Sequence, residues 1–244
     1  MSAVTVGLLS AALLVGVAAP AYAALPTGPV TVGVTGARPG ATEIPFQISD
    51  QVGVGVDVAT GNLRVSTRSL SLVGVTGQVG IGQTYNSLST TTGASNSAAA
   101  NRWVFSAQGA GFLATSYGGG GLTYTAGDGS TWKYTTGTGS AFTSPAGAKA
   151  DLVSITGGYK LTDRQSRQVI TFDSDGRATS IADRNGNTTT LTYDPYGTAA
   201  TVVSSAGPTA ARTAAFAYSS TTRTLTASQT SGALSRSVKW VKDA

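Results

Sequence analysis

The sequence predicts an all-β protein, with antiparallel hairpin repeats joined into a long twisted sheet. Three observations lead there. Apolar residues recur at period two, as in Val52, Val54, Val56 and Val58, the spacing that turns one side of a strand toward a core. The dipeptides Asp128-Gly129, Asp175-Gly176 and Asn185-Gly186 interrupt such runs, and Gly after Asp or Asn marks tight hairpins. The 244 residues include 32 Gly but one Met and one Glu, Glu43, so strong helix formers are scarce. Helix is expected only in the leading apolar segment.

Composition excludes several chemistries. With no His and no Cys there is no Ser-His-Asp triad, thiol nucleophile, zinc finger or disulfide framework. The formal charge is +5, yet Arg164, Arg167, Arg177, Arg184, Arg212, Arg223 and Arg236 are scattered and never form a run. A weakly basic surface is expected, with no nucleic-acid partner. No cofactor and no metal are expected.

The elements follow in order. Residues 1–23 read as a signal peptide: an apolar run from Val4 to Ala19, then Ala21-Tyr22-Ala23, with cleavage after Ala23. No Lys or Arg precedes the run, and the first charge is Arg38. Secretion or display at the cell surface is the expectation, with no stable membrane span after cleavage. Residues 24–51, with Pro26, Pro29, Pro39 and Pro45, read as a Pro/Gly-rich linker. Residues 52–115 read as an N-terminal β-domain. The Val52–Val58 strand turns at Thr60-Gly61-Asn62 into Leu63–Ser66, and Thr84-Tyr85-Asn86-Ser87 closes the meander. Residues 88–101 are low in complexity and read as a surface loop. Residues 116–244 read as a repeat region. It opens with a hairpin at Asp128-Gly129 that puts Leu122, Tyr124, Trp132 and Tyr134 on one face.

An internal repeat occupies residues 159–240. Phe172-Asp173-Ser174-Asp175-Gly176 matches Tyr193-Asp194-Pro195-Tyr196-Gly197 at a spacing of 21, and Ile181 matches Val202 at the same spacing. Leu161–Arg164 matches Ile181–Arg184 at 20, and Phe216–Tyr218 matches Val238–Trp240 at 22. Each unit is a strand, a turn opened by Asp and closed by Gly, and a returning strand. A unit buries too little to stand alone, so units must pair edge to edge. The rings of Phe172 and Tyr193, equivalent in successive units, are expected on one face and near one another.

These residues resemble the Rhs or YD-repeat family. The resemblance rests on Phe172-Asp173 with Gly176-Arg177, on Asp183-Arg184-Asn185-Gly186-Asn187, and on Tyr193-Asp194 with Gly197. Upstream, Val56–Leu63 and Thr84–Ser87 resemble the N-terminal domain that precedes the repeats in bacterial Rhs proteins. The resemblance implies an antiparallel sheet spiralling into a hollow shell, as in polymorphic toxins and teneurins, where the shell encloses or displays other segments. The chain then reads as an open fragment of such a shell, the N-terminal piece of a larger product or a truncated relative. Its partners would be the remainder of that product or other sheet edges.

Other constellations have simpler readings. Asp173, Asp175, Asp183 and Asp194 invite a glycosidase pair, but turn capping accounts for all four. Asp173-Ser174-Asp175-Gly176 superficially suggests a calcium loop, without the spacing of a full one. No catalytic residue and no enzyme activity are expected. Tyr85, Trp103, Tyr117, Tyr124, Trp132 and Tyr134 could bind carbohydrate if exposed, or form core and cross-strand pairs. Two functions follow: a secreted non-enzymatic scaffold, or a secreted module binding cell-surface carbohydrate.

Overall fold

The computed structural model describes residues 33–38, 40–74, 77–89, 102–115, 121–193, 199–204, 212–219, 221–231 and 234–241. They lie within one unit, Thr31–Ala244. Among them there are eighteen strands and no helix. The signal segment with Ala21 and Ala23, the body of the 88–101 loop, Tyr117, Asp194 and Gly197 lie outside the described residues.

The strands form three open antiparallel sheets, each with its strands in sequence order. The first holds β1 (Glu43–Ser49), β2 (Val52–Asp57), β3 (Leu63–Gly74), β4 (Gly77–Asn86) and β5 (Trp103–Ala107). The second holds β6 (Phe112–Thr115), β7 (Gly121–Thr125), β8 (Thr131–Thr136) and β9 (Phe142–Thr143). The third, nine strands wide, holds β10 (Ala150–Ile155), β11 (Gly158–Asp163), β12 (Val169–Asp173), β13 (Ala178–Ala182), β14 (Thr188–Tyr193), β15 (Ala199–Ser204), β16 (Arg212–Ser219), β17 (Thr224–Ser231) and β18 (Leu234–Val241).

Two expected boundaries shift. The linker placed over 24–51 does not hold for residues 43–49, which form β1 and pair with β2 from Glu43↔Asp57 to Ser49↔Val52. The apolar alternation of Ile44, Phe46 and Ile48 is strand-forming, and a proline is tolerated in an edge strand. The boundary at 115/116 falls inside the β6–β7 hairpin rather than between sheets.

The third sheet buries one face. Leu152 pairs with Leu161, Leu161 with Ile170, and Ile170 with Ile181, and all four are at most 6% exposed. Each such side chain contributes about 1.5–3 kcal/mol by leaving water. The row continues to Thr189, whose hydroxyl donates to Gln108 Oε1 at 3.0 Å, so the one polar member is satisfied.

The 21-residue repeat is visible in the backbone. A bulge falls between Thr171 and Phe172 in the β12–β13 pair, and another between Thr192 and Tyr193 in the β14–β15 pair. An extra residue lets both Ala178 and Ile181, an odd number apart, face inward, each 1% exposed. Without it, strict alternation would turn one of them outward.

The sheets share a core. Phe105 of the first meets Phe216 of the third edge-on, centroids 5.4 Å apart. Tyr124 of the second meets Phe172 of the third at 5.9 Å. The rings of Phe172 and Tyr193 both turn to this core, on one face of the third sheet. Phe172 faces Ala178 across the bulge and packs on Tyr124. Tyr193 lies beyond β13 and reaches back to donate its hydroxyl to Ala178 O at 2.7 Å.

Candidate functional site

The family-type residues are two turns with one hydrogen-bond pattern. In the first, Asp173 N donates to Arg177 O at 2.9 Å and Gly176 N to Asp173 O at 3.0 Å. Asp173 Oδ1 accepts from the backbone N–H of Asp175 and Arg177, at 3.0 and 2.8 Å. In the second, ten residues on, Asp183 N donates to Asn187 O at 3.0 Å and Gly186 N to Asp183 O at 3.1 Å. Asp183 Oδ1 accepts from Asn185 and Asn187 N–H at 2.8 and 2.9 Å. Gly176 and Gly186 hold φ of +80° and +82°, where a Cβ is strained. The hairpin at Asn185-Gly186 thus has a three-residue loop, Arg184 to Gly186, because Asp183 closes it through its side chain.

The fourth residue after each Asp supplies a side-chain clasp. Arg177 Nε donates to Asp173 Oδ2 at 2.7 Å, and a second guanidinium nitrogen donates to Asp175 Oδ2 at 2.7 Å. In the second turn Asn187 Nδ2 takes the place of the guanidinium, at 2.9 Å from Asp183 Oδ2. That bond, ahead of the backbone donors, holds the Asp183 carboxyl below its usual value. The Arg177 guanidinium also sits 5.4 Å from the Tyr193 ring centre, a cation–π distance. Burial pushes the Tyr193 hydroxyl up. Phe172, Asp173, Gly176, Arg177 and Tyr193 thus come together. Asp183, Asn185, Gly186 and Asn187 form the separate second turn, beside an exposed Arg184 that makes no ion pair among the described residues.

The carboxylates are engaged. Asp173 and Asp175 are clasped by the same Arg177, an arrangement of a capped turn rather than of an oxygen cage for calcium. Asp163 opens a similar turn, its Oδ1 accepting from Gln165 N and Ser166 N at 2.9 and 2.6 Å. Burial works to raise its pKa, and the Ser166 and Gln165 bonds outweigh it, leaving it lowered. Arg164 pairs with Asp151 on the exposed surface, where an ion pair contributes little.

The aromatic set divides. Tyr124 and Tyr134 are buried, 7% and 1% exposed; burial raises both hydroxyls, that of Tyr134 to about 12. Tyr85 and Trp103 are cross-strand partners with centroids 5.4 Å apart. Trp132 is half-buried on the same face as Tyr124, its register partner.

One polar cluster escapes the sequence reading. Asn86, fully buried, accepts at Oδ1 from Gly36 N and from Asn62 Nδ2, each at 2.8 Å, and donates from Nδ2 to Asp128 O at 3.1 Å. Beside it, Arg38 binds Asp57 Oδ2 through Nε at 2.9 Å and through a terminal nitrogen at 2.7 Å. The Arg38 bond leads the causes that hold the Asp57 carboxyl below its usual range. These groups tie residues 33–38, the first sheet and the β7–β8 turn together. The only signal was the presence of Asn62 and Asn86 inside the family-like phrases.

Asp-opened glycine turns and bulges recurring at the repeat spacing define a hairpin-repeat β protein. Residues 172–209, beginning at Phe172, match the family model RHS Repeat. That segment is similar to the Rhs/YD-repeat family. No curated protein matches it.

Proposed function

We propose that the chain is a secreted, non-enzymatic β-scaffold, the N-terminal part of an Rhs/YD-repeat shell that encloses or presents a toxin or a surface segment. The observation that carries this reading is the open nine-stranded repeat sheet with one apolar face. Such a sheet works by enclosing and pairing, and Asp163, Asp173 and Asp183 serve its turns.

The surfaces left open agree with a partner sheet. A row of apolar residues crosses the first sheet strand by strand: Phe46, Val54, Val65, Tyr85, Trp103. At its β1 end Ile44, Phe46 and Ile48 are 49%, 54% and 67% exposed, a patch of the kind that marks a contact surface. The two outer edges differ. Thr42 O accepts from Val58 N, so with the β1–β2 register Pro45 stands at a position whose N–H would point away from β2. The missing donor blunts that edge. The outer edge of β18 carries no partner among the described residues, and it contains no proline. Added strands are therefore expected at β18, and a covering layer on the Phe46 row.

The test is to raise antibodies to this chain and recover its product from producing cells. The expected result is a product in the medium or on the surface, with a partner segment resistant to protease until the sheet is unfolded. A cytosolic product, or hydrolytic turnover by the purified chain that Asp173→Ala or Asp183→Ala abolishes without unfolding, would overturn it.

A further inference from the structure

Three turns among the described residues place Gly directly after Asp or Asn, and their settings differ. Asp128 spends Oδ1 on Ser130 N at 2.9 Å and Oδ2 on Ala37 N at 3.0 Å. Asp175 is clasped by Arg177 through Oδ2 at 2.7 Å, and Gly176 after it is buried against Leu113. Asn185 and Gly186 are both exposed. The Asn185 carboxamide makes no hydrogen bond with a described residue, and only its backbone N–H is engaged, on Asp183 Oδ1. A Cβ placed on Gly186 would meet nothing within 4 Å.

The other described asparagines are held. Asn62 is 1% exposed, with Nδ2 on Asn86 Oδ1 at 2.8 Å and Oδ1 accepting from Leu88 N at 3.2 Å. Asn86 is fully buried and bonded at both amide atoms. Asn187 gives Nδ2 to Asp183 Oδ2 at 2.9 Å. Each of these three precedes a residue with a side chain, Leu63, Ser87 or Thr188. Among the described asparagines, Asn185 alone joins a free carboxamide to a following nitrogen that no side chain shields.

That pairing has its own chemistry, since Asn is a labile residue. The next residue's backbone nitrogen can attack the side-chain carbonyl carbon and close a five-membered ring, and Gly leaves that approach unhindered. We propose that Asn185 is a self-modification site, converted through a succinimide closed by Gly186 N. The bond from Gly186 N to Asn185 Cγ forms as the Cγ–Nδ2 bond breaks. Gly186 N gives up its proton, and the amide nitrogen leaves as ammonia. Water then adds to either ring carbonyl and breaks that carbonyl's bond to Gly186 N, leaving aspartate or isoaspartate. Water is the only co-reactant. Gly186 N donates to Asp183 O at 3.1 Å, so this bond must open first. The turn allows it, because nothing crowds Gly186 while the pairs Ile181↔Thr189 and Ala182↔Thr188 hold the flanking strands. Isoaspartate adds one carbon to the main chain at the turn and sets a carboxylate next to the exposed Arg184. The site is independent of the scaffold reading, and its failure would leave the repeat sheet as argued.

The experiment is incubation of the purified full chain in mildly alkaline buffer, beside a synthetic peptide of residues 181–189 as the unconstrained reference. Peptide mapping by mass spectrometry reads each asparagine, isoaspartyl methyltransferase labels isoaspartate, and hydroxylamine cleaves the chain at a succinimide. The expected result is isoaspartate at position 185 and hydroxylamine cleavage between Asn185 and Gly186. The rate should lie within about tenfold of the peptide's, the factor for opening an exposed turn hydrogen bond. Asn62, Asn86, Asn187 and Asp175 should stay unconverted over the same period. Asn185→Gln, whose longer side chain cannot close the five-membered ring, should abolish label and cleavage at this position and leave the melting curve unchanged. Conversion more than about tenfold slower than in the peptide would overturn the site, because the fold would then protect it. So would isoaspartate appearing at Asn187 before Asn185, or loss of the Asn185 amide with no isoaspartate and no hydroxylamine cleavage.

Discussion

The turns Asp173–Arg177 and Asp183–Asn187 share every backbone hydrogen bond, yet they do different work. The first is docked. Gly176 O accepts from Leu113 N at 2.8 Å, Phe112 bridges to Arg177, and a Cβ on Gly176 would fall 2.1 Å from Leu113 O. The second projects outward, and a Cβ on Gly186 would meet nothing within 4 Å. One local motif thus closes a hairpin in both places and joins two sheets in only one. The clasp follows the setting. The joining turn uses Arg177, which also reaches Asp175 and the Tyr193 ring. The projecting turn uses the shorter Asn187, which reaches Asp183 alone. Sequence identity within a repeat predicts the turn; the neighbouring sheet decides what the turn supports.

The largest effect should come from the core behind the docked turn. Phe172→Ala removes a ring 1% exposed, packed on Tyr124, and should cost about 3–5 kcal/mol in denaturant unfolding. A loss near that of a surface residue would show that the second sheet does not seal the repeat sheet. Next come the two glycines. An Ala at positive φ costs about 1–2 kcal/mol, and that is all Gly186→Ala should lose. Gly176→Ala should lose clearly more, because the β6 contact must open as well. Equal losses would mean that docking contributes nothing to the fold. Tyr193→Phe should cost about 1 kcal/mol, the loss of the bond to Ala178 O.

The surface of the first sheet gives a contrast in kind rather than in size. Phe46→Ser, at a side chain 54% exposed, should leave unfolding stability within about 0.5 kcal/mol while lowering self-association in sedimentation velocity. Destabilisation of core size would instead show that the β1 row is covered within one chain.

Much of this was legible in the residues. Period-two valines placed β2, Asp128-Gly129 placed the β7–β8 hairpin with its four aromatic and aliphatic residues on one face, and the 21-residue spacing made Phe172 and Tyr193 equivalent, each of which the structure places beside a bulge. The Asp turn caps followed from their short carboxylates beside Gly. What could not be read were partners distant in sequence. Gly176 looks like Gly186 until Leu113 is placed above it, and Asn86 gains its meaning only when Gly36, Asn62 and Asp128 converge on it. The strand at residues 43–49 was hidden by Pro45, whose backbone nitrogen is harmless only because it faces away from β2.

The smallest expected effect separates charge from shape in the projecting turn. Asp183 has its folded pKa lowered, first by the Asn187 side chain and then by the Asn187 and Asn185 backbone donors. A carboxylate with a depressed folded pKa contributes stability above its unfolded value, about 3.9, and loses it as pH falls through the folded one. Asp183→Asn keeps an oxygen at Oδ1 for the backbone donors but removes the charge and one acceptor facing Asn187. The variant should therefore be slightly less stable than the parent near neutral pH. Below about pH 4 the gap should shrink, because the parent's own carboxyl is then taking up its proton. Thermal unfolding of both chains across that window reads the difference directly. A gap that stays constant through the acid range would mean that the turn depends on the geometry of the Asn187 clasp alone, and that the carboxylate charge adds nothing there.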